Sequence, residues 1–256
     1  MIHNTAIIDE SAKLGENVSI GPYSIIGPDV EIGAGTQIAS HVVINGPTRI
    51  GEQNKIFQFS SLGEAPQDKK YNGEPTTLVV GDRNVIREYV TFNRGTVNGI
   101  GETIIGSDNL FMAYCHVAHD CIVGNNIVFA NSASLGGHVE VGDFAILGGF
   151  TTVHQFTLIG GKSLCGQGSV VTQDIPPFTT AAGNRARAIG INKEGLRRKG
   201  FSADLIRALH QSFRVLLKSK VTQEVAFEKL QPLCDKHPEV AEFVNFIKTS
   251  KRGIAQ

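Results

Sequence analysis

Residues 105–171 read IGSDNLFMAYCHVAHDCIVGNNIVFANSASLGGHVEVGDFAILGGFTTVHQFTLIGGKSLCGQGSVV. Every sixth position is apolar: Ile105, Phe111, Val117, Val123, Phe129, Leu135, Val141, Leu147, Val153, Ile159, Cys165 and Val171. The same spacing runs earlier from Ile8 through Leu14, Ile20, Ile26, Ile32, Ile38, Ile44, Ile50 and Ile56 to Leu62. A period of six matches neither the 3.6 of a helix nor the plain alternation of a strand. It fits a coil of three flat faces, one hexad to a face. The aliphatic residue points inward and stacks on its counterpart, while successive coils pair as parallel strands about 4.8 Å apart. Glycine often follows the aliphatic residue, as at Gly21, Gly33, Gly51, Gly106, Gly124, Gly142 and Gly160. There it is expected to take the left-handed backbone of a corner. The expected fold is an all-β left-handed parallel β-helix, a hexapeptide-repeat solenoid, over residues 1–185.

Two stretches break the period. Between Leu62 and Val80 the hexad positions fall on Asp68 and Glu74, so residues 63–78 are expected to leave the coil as a polar loop. The spacing of 18 reads as one full coil. Between Phe92 and Ile105 the spacing is 13, one more than two hexads, which marks a second excursion over 93–104. Long loops on a compact scaffold often carry function. After Pro176-Pro177 the period fades, and residues 186–256 are expected to form a small α-helical C-terminal domain. Leu205, Ile206, Leu209, Phe213, Leu216 and Leu217 follow helical spacing behind Ser202 as N-cap. Further helices are expected after Thr222 and from Pro238, packed so as to cap the solenoid.

The composition narrows the function. The 256 residues balance 24 Lys+Arg against 24 Asp+Glu, which argues against a nucleic-acid binder that relies on a broad basic surface. Tryptophan is absent, so the core is aliphatic. No run of 18 apolar residues suggests a membrane span. The opening MIHNTAIIDESAKLGENVS lacks the basic start and apolar run of a signal peptide. Cys115, Cys121, Cys165 and Cys234 form no CxxC pair and read as reduced thiols of a cytoplasmic protein.

Four of the eight histidines, His116, His119, His138 and His154, fall in one short span. Counted modulo 18 they occupy columns 8, 11, 12 and 10, so three consecutive coils bring them to one face and its corner. In His116-Val117-Ala118-His119 the two rings leave a strand on opposite sides, a poor arrangement for one metal, and none is expected. General-base chemistry fits better. Asp120 follows His119 and can orient its ring. Gly137 lies one coil on from His119, where its N–H can serve as an oxyanion donor in acyl transfer.

The stretches AYCHVAHDCIVG, ANSASLGGHVEVGD, GGFTTVHQFTLIG, GQGSVVTQDIPPF and GINKEGLRRKGFS resemble the UDP-N-acetylglucosamine acyltransferase family in order and spacing. So do HVVINGPTRIG, FQFSSLGEAPQDKKYNGEPT and IREYVTFNRGTV, and the match spans nearly the whole chain. The resemblance implies a cytoplasmic homotrimer with sites between subunits and no cofactor. It implies transfer of a 3-hydroxyacyl chain from acyl carrier protein to the 3-position of UDP-N-acetylglucosamine, the first step of lipid A synthesis. It makes His119 the base, Asp120 its partner and Gly137 the oxyanion donor, with His116, His138, His154 and Gln155 lining the site. In the QDKKY loop, Asp68 and Lys70 would contact the sugar. In the NxEGxxR pattern, Asn192, Glu194 and Arg198 would meet the nucleotide, whose diphosphate suits a basic stretch. Gln167 aligns with the family's acyl-chain ruler; a bulky polar side chain there implies a shorter chain than glycine would admit.

The chain departs from the family at Asn93, where histidine is common, and at Lys199, where a second arginine is common. Asn93 raises a 3-amino sugar as an alternative acceptor. An acetyl-CoA-dependent hexapeptide acetyltransferase shares the fold and the histidine base, but the QDKKY loop and helical tail argue against it. A structural or ice-binding solenoid would carry regular threonine rows in place of these histidines.

Overall fold

The computed structural model describes residues 1–219 and 221–256. The hexads build three parallel sheets, which together form the left-handed β-helix. A nine-stranded sheet runs from Ile7–Ile8 to Val170–Val171, an eight-stranded sheet from Lys13–Leu14 to Leu158–Ile159, and a ten-stranded sheet starts at Ser19–Ile20. The register is the hexad period made physical: Ile8 pairs with Ile26, Ile26 with Ile44 and Ile44 with Leu62. Each strand is only two to five residues long, so its stability comes from the stack. The aliphatic row is buried from Ile20 onward, with Ile8 and Leu14 partly buried at the open end, and Phe92, Phe111 and Phe129 continue it with centroids 4.8 Å apart.

The excursions differ from the sequence reading in one respect. Leu62 pairs with Phe92, a step of 30 in place of 18, and Phe92 with Val117, a step of 25. Leu62 and Val80 thus lie on adjacent sheets, not one coil apart on the same sheet. The first loop adds twelve residues, two whole hexads, which leaves the phase intact and hides the insertion from any count by sixes. The second adds seven. Both leave at the corner between the nine- and eight-stranded sheets.

The corners also differ from expectation. The left-handed residue is the third after the aliphatic position and is mostly not glycine: Tyr23, Gln53, Asp120, His138, Phe144 and Phe156 all have φ between 56° and 63°. The glycine directly after the aliphatic residue answers to sterics. A Cβ on Gly33 would lie 2.5 Å from the carbonyl carbon of Gly51, one coil on, and a Cβ on Gly21 would lie 2.6 Å from that of Ala39.

Inside the corner between the eight- and ten-stranded sheets runs a ladder of buried asparagines. Asn84 N–H donates to Asn54 Oδ1 at 2.9 Å, and Asn109 N–H donates to Asn84 Oδ1 at 3.0 Å. Asn84 Nδ2 donates to Gly106 O at 2.9 Å. Each amide closes backbone groups that the turn leaves unpaired.

Residues 187–191, expected in the helical domain, form the strand Arg187–Ile191, which runs antiparallel to Thr179–Ala182 and ends the ten-stranded sheet. The helices start later: α1 Lys193–Arg198, α2 Ala203–Leu217, α3 Gln223–Lys236 and α4 Pro238–Thr249. Ser202 Oγ accepts from Leu205 N–H at 3.2 Å, as an N-cap does. Leu209, Phe213, Leu230, Val240 and Phe243 pack with Phe178, in the turn before Thr179–Ala182, and with Ala188 of the last strand, so the helical layer covers the end of that sheet. The tail then returns: Ala255 N–H donates to Asp174 O at 3.0 Å. No helix among the described residues is long and apolar enough to cross a membrane.

Replacing Asn84 by alanine strands Asn109 N–H and Gly106 O inside the corner. The variant is expected to lose about 2–4 kcal/mol of stability, one to two unsatisfied buried polar groups, read as a lowered urea midpoint by circular dichroism.

Candidate active site

The corner between the nine- and eight-stranded sheets gathers most of the expected site. Three consecutive coils deliver His119-Asp120, Gly137-His138 and Gln155-Phe156 in register, and Asp120, His138 and Phe156 share the left-handed position with φ of 58°, 60° and 63°. His138 stacks flat on Phe156, centroids 4.3 Å apart, and meets the His119 ring edge-on at 5.0 Å.

Asp120 sits at the centre, its side chain fully buried. Oδ1 accepts from Thr96 N–H at 3.0 Å and from Ile100 N–H at 3.1 Å. Oδ2 accepts from the Thr96 hydroxyl at 2.7 Å and lies 2.7 Å from His119 Nδ1. Burial pushes this carboxyl up, but the Thr96 and His119 hydrogen bonds and the His138 ring outweigh it, so its pKa lies below the ordinary aspartate value. An ionised carboxylate only accepts. His119 Nδ1 therefore carries the proton, and Nε2 of the neutral ring is left with a free lone pair.

The ring packs against Gly137. A Cβ on Gly137 would lie 2.6 Å from His119 Cε1 and 2.8 Å from Nε2, so no larger residue fits beside the ring. Gly137 is absent from the positive-φ positions, which rules out the corner as its reason. Among the described residues no group accepts from Gly137 N–H.

The neighbours tune this pair. His116 Nδ1 lies 2.7 Å from Thr91 Oγ1. Burial holds its pKa below the usual histidine value despite the Thr91 bond, and His119 adds to the lowering. Burial likewise lowers His138, against the pull of Asp120 and of Asp68 in the first loop. Asp68 is thus close enough to act on the site. Lys70 is exposed, and its backbone N–H donates to Asp68 Oδ1 at 3.0 Å. His154 and Gln155 are exposed one coil further on, and Arg252 Nη2 lies 2.8 Å from His154 Nδ1.

His119 Nδ1, Asp120 and His138 offer ligand atoms within 4.8 Å of one another. This triple differs from the H-x2-H pair weighed in the sequence. A cation there would displace the Thr96 and His119 hydrogen bonds from Oδ2, so the arrangement is better suited to an oriented base.

The remaining site residues lie elsewhere on the chain. Gln167 is exposed at the corner between the ten- and nine-stranded sheets. Asn192 is at the third corner, beside Lys162: Nδ2 donates to Lys162 O at 3.1 Å, and Oδ1 caps α1 by accepting from Gly195 N–H at 3.1 Å. Glu194 pairs with Arg198 at 3.1 Å in the open. Lys199 lies over the Phe144 ring at 3.7 Å, where burial and then the Lys162 ammonium push its amine down. Asn93 is buried and donates to Ala65 O at 3.0 Å, at the root of the first loop.

Thr96, Gly99, Ile100, Phe156 and Arg252 were not singled out in the sequence. The length of the second excursion was the available signal for the first three. Arg252 had none, because its partner His154 is 98 residues away.

The model of the second domain of UDP-N-acetylglucosamine O-acyltransferases matches residues 174–255, and that of the bacterial transferase hexapeptide (six repeats) matches residues 11–46 and 102–137. The acyl-[acyl-carrier-protein]--UDP-N-acetylglucosamine O-acyltransferase of Saccharophagus degradans is 53% identical over 255 residues, covering 100% of this chain and 99% of that one. The solved LpxA of Acinetobacter baumannii is 47% identical with a TM-score of 0.97, covering 100% of this chain and 99% of the other. The UDP-N-acetylglucosamine acyltransferase of Arabidopsis is 33% identical at a TM-score of 0.85, covering 100% of both chains. A full-length match in sequence and a near-superposable fold lead to one conclusion: this chain belongs to the UDP-N-acetylglucosamine O-acyltransferase family.

Proposed function

We propose that this protein transfers a 3-hydroxyacyl chain from the thioester of acyl carrier protein to the 3-hydroxyl of UDP-N-acetylglucosamine, the opening step of lipid A synthesis. The observation that carries the reading is His119, oriented by a buried aspartate and packed against a glycine whose N–H is unpaired. Nε2 takes the proton of the sugar hydroxyl as its oxygen attacks the thioester carbonyl. Gly137 N–H donates a hydrogen bond to the developing oxyanion. The C–S bond then breaks, and the thiolate takes the proton back from His119.

Other features support the partners. An open groove of about 820 Å³ on α1 and α2 is lined by Lys193, Arg197, Arg207, Arg214 and Lys218, with no acidic residue, and suits an acidic carrier protein. Arg198, Lys199 and Lys162 concentrate positive charge where a diphosphate would sit, with Asn192 setting the start of α1. His116, His138, His154 and Gln155 would line the acceptor site, and Asp68 and Lys70 would reach the sugar. Asn93 is engaged with backbone of the first loop, which gives the 3-amino acceptor no support. A carrier-protein thioester and a nucleotide sugar are cytoplasmic reagents, and the reading includes that location.

One chain does not complete the site. The base, Gln167 and the Asn192 group occupy three different corners of one prism, so a shared groove needs neighbouring copies. A stacked column, Tyr23, His41, Phe59, Tyr89 and Tyr114, also lies on the surface, with Tyr23 61% and Tyr114 59% exposed. A closed homotrimer answers both.

Three outcomes test this reading. His119→Ala should fold normally and lose about 10²-fold or more in transfer from 3-hydroxyacyl carrier protein, assayed beside acetyl-CoA as donor; near-normal turnover would overturn it. Sedimentation should show a trimer, and a fully active monomer would refute the shared site. Gln167→Gly should move selectivity toward longer chains, since an amide buried without a partner costs about 1–3 kcal/mol; an unchanged chain-length profile would remove Gln167 from the acyl channel.

A further inference from the structure

The second excursion has a structure that the reaction outlined above does not explain. Residues 94–101 fold over the Asp120 carboxylate and give it three of its four hydrogen bonds, from Thr96 N–H, the Thr96 hydroxyl and Ile100 N–H. Thr96 is 3% exposed. The loop is shaped for this approach: a Cβ on Gly99 would lie 2.2 Å from the Asp120 carboxyl carbon, so only glycine lets the turn close. Gly99 N–H and Gly101 N–H both donate to Thr96 O at 3.1 Å, which holds the turn around the carboxylate. Its stem is tied to the end of the first loop, where Gly95 N–H donates to Thr77 O at 3.1 Å and Thr77 N–H to Gly101 O at 3.0 Å. From the other side, Thr103 Oγ1 accepts from Asp120 N–H at 2.9 Å.

The two carboxylate oxygens are used differently. Oδ1 is filled by two backbone amides. Oδ2 is shared between the Thr96 hydroxyl and His119 Nδ1, each at 2.7 Å. The hydroxyl therefore limits how strongly Oδ2 can draw on the imidazole, and it fixes the plane in which the imidazole must lie. We propose that the second excursion is a clamp on Asp120, and that Thr96, through its hydroxyl, is a positioning residue that holds His119 with Nε2 free beside Gly137. The proposal rests on the reading of His119 as the base.

The sharing sets the effect. Without the hydroxyl, only His119 Nδ1 meets Oδ2, the carboxylate oxygen loses the bond that fixes its plane, and the imidazole can turn with it. Removing the hydroxyl should thus loosen the ring and its single tautomer.

The test compares Thr96→Val, Thr96→Ser and each in a His119→Ala background, with 3-hydroxyacyl carrier protein and UDP-N-acetylglucosamine as substrates. Thr96→Val should lower kcat about tenfold or more, the worth of one hydrogen bond to a charged group, with KM little changed. Thr96→Ser should restore the rate. In the His119→Ala background Thr96→Val should add nothing. Nitrogen-15 shifts of His119 should report an Nδ1-protonated ring in the parent and in Thr96→Ser, and a mixture of tautomers in Thr96→Val. An inactive His119→Ala beside a Thr96→Val that matches the parent in kcat and tautomer would overturn the clamp alone. A fully active His119→Ala would instead overturn the base reading. If Thr96→Val fails to fold, Thr96→Ala carries the same expectations, and a parent-like tautomer in it overturns the proposal.

Discussion

One constraint governs the molecule: each coil must stack on the last with its aliphatic residues in register. Strands of two or three residues have no stability of their own, so the hydrogen bonds between coils and the continuous inner row hold the prism together. Stacking also sets position along the surface. Whatever residue stands at a corner is carried up in a column, one coil apart, and side chains distant in sequence become neighbours. His119 beside Gly137, and His138 between His119 and Phe156, are consequences of that translation.

The same constraint decides where variation is allowed. A flat face cannot gain a residue without breaking its register, but a corner can, because the chain leaves one sheet and rejoins the next. Both excursions use the corner that carries His119. The second encloses a carboxylate that a bare prism would leave at its surface. Inside, four hydrogen bonds keep Asp120 ionised against the cost of burial, and the ionised carboxylate in turn fixes the proton on one nitrogen of His119. The chain of cause runs from a loop insertion, through a buried charge, to the free lone pair on His119.

The C-terminal region solves a different problem. A solenoid ends in an open coil, and the antiparallel strand Arg187–Ile191 with four helices closes it. The helical layer brings a basic groove and the α1 residues to one side, and the returning tail places Arg252 against His154. Since His119, Gln167 and the α1 group stand on three corners, a convex prism offers them no common pocket.

The amino-acid sequence alone determined the prism and the corner, and it pointed to His119. A period of six is a local property that survives in one dimension, and counting by 18 placed His116, His119, His138 and His154 on neighbouring coils and Gly137 over His119. It did not reveal that the first loop inserts two whole hexads between adjacent faces, because an insertion that preserves phase leaves the count unchanged. Nor did it show what Thr96, Gly99 and Ile100 do, or that Arg187–Ile191 extends a sheet. Those depend on contacts between segments whose separation follows no period: a hydroxyl 24 residues from its carboxylate, an arginine 98 residues from its histidine. Only the tertiary structure decides such pairs, because burial and hydrogen-bond direction arise when loops close over the coils, and no spacing rule encodes that closure.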